Sequence, residues 1–263
     1  MATTVKILLG VSVLGFVCLQ IALYWVNEIR LPKLDLWKLT RKKGKIKVLA
    51  IDPHPDDETM LSGGFISKYS RDKEVELKHI CVTKGEKGDE IFKVSETELA
   101  EIREKEYKKA LKALGCEKFE IWDFHDGKVE DEKELIFKKL NQELKTFQPD
   151  IILTYERAGL YGHPDHVALT QIVHQLVKEK HPNIKVLYKT LTKRVLKTIK
   201  LPFHMANGRE VVQALPTTRL PILSFITSKY KACKQYKSQN LGQGKPLWLI
   251  MILLTNEYYT DKY

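Results

Sequence analysis

Cysteine is sparse in this 263-residue chain: the four present (Cys18, Cys81, Cys116 and Cys233) lie far apart and form no CxxC pair. That argues against a cysteine-based zinc site or a disulfide framework, and it fits a reducing compartment. Acids are outnumbered, 33 against 44 lysines and arginines, which leaves a formal charge of +11 and implies contact with something anionic. Internal repeats and low-complexity tracts are missing, as is any RNA- or DNA-binding motif. Only one long apolar run occurs and the mean hydropathy is negative, which excludes a polytopic membrane protein. What remains is ordinary globular composition, 43% apolar and 9% aromatic, enough for one sizeable core.

The single apolar run, Ile7 to Val26, carries no charged side chain. At ~1.5 Å per helical residue it covers about 30 Å, the hydrocarbon thickness of a bilayer. A cleaved signal peptide is the alternative. Against it, the run exceeds the usual ~7–15-residue apolar region, and no A-x-A-like site precedes Arg30 and Pro32. We therefore expect an N-terminal transmembrane anchor over 1–28 and a basic juxtamembrane linker over 29–45. Between Asn27 and Lys47 stand eight cations against Glu28 and Asp35, whereas only Lys6 precedes the run. The positive-inside rule then keeps the remaining domain, 46–263, on the cytoplasmic side. Acidic head groups would attract the same collar. The membrane would be that of the endoplasmic reticulum in a eukaryote, or the inner or plasma membrane in a bacterium.

Within 46–263, short apolar runs alternate with amphipathic ones. Strands are expected at Ile46–Asp52, Val75–Thr83, Lys118–Phe124, Asp150–Tyr155 and Lys185–Leu191, and helices at Thr59–Tyr69, Glu96–Leu114, Glu132–Phe147 and Pro164–Lys178. Ser95 with Glu98 resembles a capping box, and Gly115 supplies a stop. This alternation predicts an α/β fold: a three-layer, Rossmann-like, mostly parallel sheet with helices on both faces, preceded by the transmembrane helix. Such sheets bind ligands in loops beyond the carboxyl ends of their strands.

Two clusters fall at such ends. The first strand runs into Pro53-His54-Pro55-Asp56-Asp57-Glu58, and the fourth is followed by Gly162-His163-Pro164-Asp165-His166. Taken singly, the acids read as helix caps and the histidines as surface residues. Together, at one sheet edge, they offer the imidazoles and carboxylates of a catalytic metal site with an open water position. Two adjacent carboxylates cannot easily both be ligands, so one is free to act as base on a water whose pKa the metal lowers.

The two motifs closely resemble the paired signatures of the PIG-L/LmbE family of zinc-dependent N-acetylglucosaminyl deacetylases. Thr83-Lys-Gly-Glu-Lys-Gly88, Arg103-x-x-Glu106, Ala110-Leu111, Leu114-Gly115 and Asp126-Gly127 match the family's intervening signposts, from about Lys45 to Lys178 and more loosely to Ser238-Gln239. The resemblance implies that His54, Asp57 and His166 bind one Zn2+, or another divalent ion such as Fe2+, with water completing the shell. It implies that Asp56 is the general base. Charged His163, oriented by Asp165, would stabilise the intermediate and protonate the leaving amine, and Tyr161 would help at the oxyanion. Glu86, Arg103 and Asp126 match positions lining the sugar pocket. The implied substrate is an N-acetylated amino sugar, which the anchor suggests is lipid-linked, of the N-acetylglucosaminyl-phosphatidylinositol kind. A soluble amino-sugar conjugate or another amide is the alternative. One departure is Pro53, where the family usually has alanine; it removes an N–H and stiffens the turn.

The other histidines (His79, His125, His174, His181 and His204) lack motif support. Packing or surface roles are expected, although His174 could face the site and His125 edge the pocket. Two acid-free basic stretches, Lys189–Arg209 and Lys229–Lys245, alternate with apolar runs at Leu220–Ile226 and Leu247–Thr255. They read either as a solvated basic surface over buried elements or as a region lying on an anionic membrane. A non-catalytic module gripping anionic lipid or nucleic acid is the rival class. Intact motifs and sparse aromatics among the cations argue against it, and no nucleic-acid partner is expected.

Overall fold

The computed structural model describes residues 2–88, 91–198, 201–242 and 244–263, apart from the side chains of 2–11, 198, 252 and 253. The expected cation Lys200 lies outside these residues. In chain order the strands are β1 (Ile46–Asp52), β2 (Val75–Thr83), β3 (Lys118–Phe124), β4 (Ile151–Tyr155), β5 (Lys185–Thr190), β6 (Thr218–Pro221) and β7 (Asn256–Thr260). They form one sheet in the order β3-β2-β1-β4-β5-β7-β6. β1 to β5 are parallel, whereas β7 runs antiparallel to both β5 and β6. The mostly parallel, Rossmann-like sheet is therefore present, with an antiparallel extension at one edge.

The helices are α1 (Ala2–Val26), α2 (Leu36–Thr40), α3 (Asp57–Met60), α4 (Gly63–Tyr69), α5 (Glu96–Leu114), α6 (Lys133–Phe147), α7 (Gly159–Gly162), α8 (Pro164–Lys180), α9 (Lys193–Thr198), α10 (Ile226–Cys233) and α11 (Leu247–Leu253). Side chains alternate across a strand, so β1 sends Val48 and Ala50 into one core and Leu49 and Ile51 into the other. α4, α5 and α10 cover the first face, and α6 and α8 the second. Burial of each such Leu or Ile contributes about 1.5–3 kcal/mol. α5 starts where Ser95 accepts the Glu98 N–H and stops at Gly115, which takes φ +82°.

The helix expected over Thr59–Tyr69 is broken. α3 ends at Met60 and α4 restarts at Gly63, because Glu257 of β7 accepts the Gly64 and Phe65 N–H groups, both at 2.7 Å. Its carboxylate caps the new helix start, where negative charge is favoured. Gly64 is required there: a Cβ would stand 2.3 Å from the Ile222 side chain.

The segment expected as a linker is folded onto the domain. Leu34 and Leu36 are buried, Asp35 caps α2, and Lys33 forms a parallel bridge with Arg219 of β6. The end of α1 is docked as well. The Asn27 amide oxygen accepts from Thr255 N–H (2.8 Å) and Asn256 Nδ2 (3.2 Å), and Arg194 donates to the Trp25 carbonyl (2.8 Å). Among the described residues no helix is long and apolar enough to cross a membrane. The first part of the expected span, up to residue 11, lies outside the described side chains.

Candidate active site

Strand order reverses at β1, which pairs with β2 on one side and with β4 on the other. The loops leaving β1 and β4 therefore flank the crevice where doubly wound sheets bind ligands. Asp56 opens α3 with a left-handed backbone, φ +103° and no side-chain cap, a conformation that costs a non-glycine residue roughly 1–3 kcal/mol and clusters at functional sites. After β4, Gly159 at φ +57° is obligatory, since a Cβ would meet His166 Cβ at 2.7 Å.

The expected ligands meet. Asp57 lies between the two histidines, 3.4 Å from His54 Nδ1 and 3.4 Å from His166 Nε2. His166 Nδ1 is 3.3 Å from the Gly159 carbonyl, which can only accept, so the ring carries its hydrogen there and turns the Nε2 lone pair inward. Tyr155 stacks on His166 at 4.1 Å and donates its hydroxyl to Asp57 Oδ1 at 2.6 Å. Two inward-facing imidazole nitrogens and a carboxylate fixed by a second hydrogen bond suit a divalent metal ion. Potential ligand atoms of His54, His163 and His166 also fall within 4.8 Å of one another, as do those of His54, Asp126 and Asp165.

Several residues sit differently from what the resemblance implies. The Asp165 carboxylate faces His54 rather than His163: Oδ2 lies 3.1 Å from His54 Nε2 and accepts Gly127 N–H at 2.7 Å. Asp126 shares that nitrogen, also at 3.1 Å, and Glu86 accepts the Asp126 N–H at 2.8 Å. Arg103 is 3% exposed, and its guanidinium bonds the carbonyls of Gly85 and Pro55 and, at 3.2 Å, Asp56. It braces the base loop from beneath instead of lining an open pocket. Tyr161 packs edge-on against His166, with ring centroids 5.4 Å apart.

The charges follow from burial and neighbours. Burial would lower His54, but Asp126, Asp165 and Asp57 raise it well above its ordinary value. Burial would raise Asp57, but His166, His54 and Lys189 hold it well below the carboxylate range. Burial, with Asp57 and Glu58 adding repulsion against the pull of Arg103, lifts Asp56 to about 8. His163 is lowered to about 4 by burial and by His54, and His166 to about 3, mainly by burial. His163 is the N-cap residue of α8. Its Nδ1 accepts the Asp165 N–H at 3.2 Å, which leaves the hydrogen on Nε2.

Sequence reasoning misses a buried support beneath the cluster. Lys189 of β5, assigned above to a basic surface stretch, is fully buried. It ion-pairs with Asp52 at 2.6 Å, donates to the Asp57 carbonyl at 2.9 Å and lies 4.0 Å from the Tyr155 ring centre. The available signal was positional: a lysine near the carboxyl end of the strand beside β4. Lys229, from the second basic stretch, is likewise buried and paired with Glu257 at 2.7 Å. Glu106 accepts from Ser238 Oγ at 2.6 Å, and Gln239 Nε2 donates to the Gly88 carbonyl at 2.7 Å, so the outlying Ser238-Gln239 region closes over the loop after β2. His125 is exposed and paired with Glu132, and His174 stacks on Tyr263 away from the cluster.

A Rossmann-like sheet whose carboxyl edge gathers three imidazoles and four acids around one point defines a class: α/β enzymes with a His/Asp metal centre. Residues 49–177 match the family model described as PIG-L, GlcNAc-PI de-N-acetylase. This stretch is a PIG-L (LmbE-like) family deacetylase domain. It is 33% identical over 147 residues to a Bacillus cereus protein named "Probable N-acetyl-alpha-D-glucosaminyl L-malate deacetylase 2", covering 52% of this chain and 65% of that one. It is 34% identical over 138 residues to the diacetylchitobiose deacetylase of Thermococcus kodakarensis, covering 52% and 51%. The chain thus matches between half and two thirds of the length of these relatives. The solved N,N'-diacetylchitobiose deacetylase of Pyrococcus horikoshii shares the fold, with a TM-score of 0.63 at 24% identity over 92% of this chain and 91% of that one.

Proposed function

We propose that the protein is a membrane-anchored, zinc-dependent N-deacetylase that removes acetyl from an N-acetylglucosamine unit carried on a lipid, of the phosphatidylinositol kind, with its domain on the cytoplasmic face. The observation that carries the chemistry is the meeting of His54, Asp57 and His166, with the adjacent Asp56 carboxylate held 3.2 Å from Arg103. Held by those three residues, zinc would polarise the amide carbonyl and acidify a water. Asp56, on its strained turn, would be the base for that water, because the charge of a divalent ion beside it favours the carboxylate over the acid form that burial alone favours. His163 offers Nε2–H to the developing oxyanion, and Tyr161 stands against the same histidine pair. Asp56 is then the group able to return its proton to the departing nitrogen.

The family description supports a phosphatidylinositol-linked amino sugar. The anchor reading is supported by the uncharged Ile7–Val26 run, the length of α1 and the cations that follow. The malate- and chitobiose-named relatives favour a second reading, a water-soluble N-acetylglucosamine conjugate. Acetate release should be measured from N-acetylglucosaminyl lipids and from soluble conjugates, with metal-stripped and zinc-restored protein. Turnover that needs restored metal and favours the lipids is expected. Metal-independent release would remove the mechanism, and preference for soluble conjugates would remove only the lipid. Protease protection in sealed vesicles tests the orientation.

A further inference from the structure

We propose that the carboxyl edge of the sheet carries a lipid-contacting rim, built by α11 and the turns at Phe203 and Leu223 around the end of α1, which seats the domain on the headgroup–acyl boundary of a bilayer. The inference rests on α1 being an anchor and adds where the domain meets the membrane.

Register fixes the geometry. Tyr258 pairs with Thr190, the last residue of β5, and Asn256 pairs with Pro221, the last of β6. Thr255, whose N–H bonds Asn27, is one step farther out. α1 therefore meets the domain beyond the carboxyl ends of the parallel strands, the edge that also holds His54, His163 and His166. Val26 packs in the same apolar cluster as Tyr155 and Tyr161. A bilayer around α1 thus adjoins this edge and no other.

The surface there is apolar. Leu223 is 71% exposed, Trp248 54%, Phe203 44% and Leu249 38%. Each projects from a segment tied to the α1 junction. Ile222, next to Leu223, donates its N–H to the Thr255 carbonyl; Leu201, two residues before Phe203, packs against the same cluster as Val26; α11 leads directly into Leu254, which also packs there. α11 has seven residues, about 10 Å of helix, far too short to span. With Met251 buried beneath and Trp248 and Leu249 outward, it is placed to lie in the interface. Exposed Lys193, Lys197 and Lys245 fringe the patch, and Tyr24 and Trp25 stand on α1 beside it. Aromatic residues with a cationic fringe match the headgroup region of an anionic leaflet. A substrate whose acyl chains stayed in the bilayer would then present its sugar at the edge that carries the metal centre.

The test uses the full chain in phosphatidylcholine–phosphatidylserine vesicles containing lipids brominated near the headgroup. Of the four tryptophans, Trp122 is buried and Trp37 bonds the Gly44 carbonyl at the opposite edge, which leaves Trp25 and Trp248 to be quenched. W248F should remove roughly half of the quenching. The double variant W248E/L249E should slow acetate release from a vesicle-borne N-acetylglucosaminyl lipid about tenfold and leave release from a soluble conjugate unchanged. Unchanged quenching in W248F, or equal slowing on both substrates, overturns the rim and leaves the patch to a second protein chain. Release of the wild-type protein from vesicles by alkaline carbonate overturns the anchor reading and the rim together; retention with unchanged quenching overturns the rim alone.

Discussion

At the scale of single residues, neighbouring acids have separable tasks. The Asp57 carboxylate is gripped by Tyr155 and both candidate metal histidines, whereas the Asp56 carboxylate is held by Arg103. Asp56→Asn should therefore retain bound zinc and lose about 10²–10⁴ in turnover, as removal of a general base does, read by acetate release beside metal analysis. His166→Ala should lose zinc and activity together; near-normal metal content in that variant would contradict its role as a ligand. Lys189 makes a different prediction. Lys189→Met leaves Asp52 buried without its cationic partner at 2.6 Å, facing His79 at 3.2 Å, and should cost about 3–5 kcal/mol in denaturant unfolding. The motif histidines and acids were legible because their residue types and positions at two strand ends announce metal chemistry. Lys189 was not, because a lysine in a sequence reads as solvated until its partner, here 137 positions away in Asp52, is known to lie beneath it. The contact of Asp165 with His54 was hidden for the same reason: sequence places it beside His163, and only folding turns its carboxylate across the crevice.

At the scale of elements, legibility tracked the apolar character of a strand and not its burial, for β3 is a largely exposed edge strand and β7 is buried throughout. β1, β2 and β3 occupy the expected ranges because their apolar runs are bounded by turns and amphipathic helices. β6 and β7 are four and five residues long, and their sequences, Thr-Arg-Leu-Pro and Asn-Glu-Tyr-Tyr-Thr, are too polar to signal a strand. The polar groups of β7 are nonetheless interior. Glu257 receives Gly64 and Phe65 N–H, Lys229 Nζ and the Tyr259 hydroxyl, and so ties β7 to α4, α10 and the turn that follows the metal loop. Glu257→Gln removes the charge these donors share, and a loss of about 3 kcal/mol in urea unfolding, little changed by added salt, is expected. A salt-sensitive loss well under 1 kcal/mol would place Glu257 among surface pairs instead.

At the scale of the whole molecule, a metal that binds only the folded state raises its stability by mass action. Stripping zinc should lower the Tm and readdition restore it, with about 4 kcal/mol at stake when free metal is a thousandfold above its Kd. The same scan on His166→Ala should show no response to zinc. The basic excess that suggested an anionic partner divides differently in three dimensions: Lys189 and Lys229 are interior counter-charges, and the exposed remainder is what an anionic surface could meet. Strand order carries one more implication. β7 is synthesised after β6 yet slots between β5 and β6. While the nascent chain lacks it, β5 offers a bare row of amide and carbonyl groups to any passing strand. Assembly of this sheet is thus held open late in translation, and a holdase that shields β5 in that interval would raise the yield of enzyme without touching its active site.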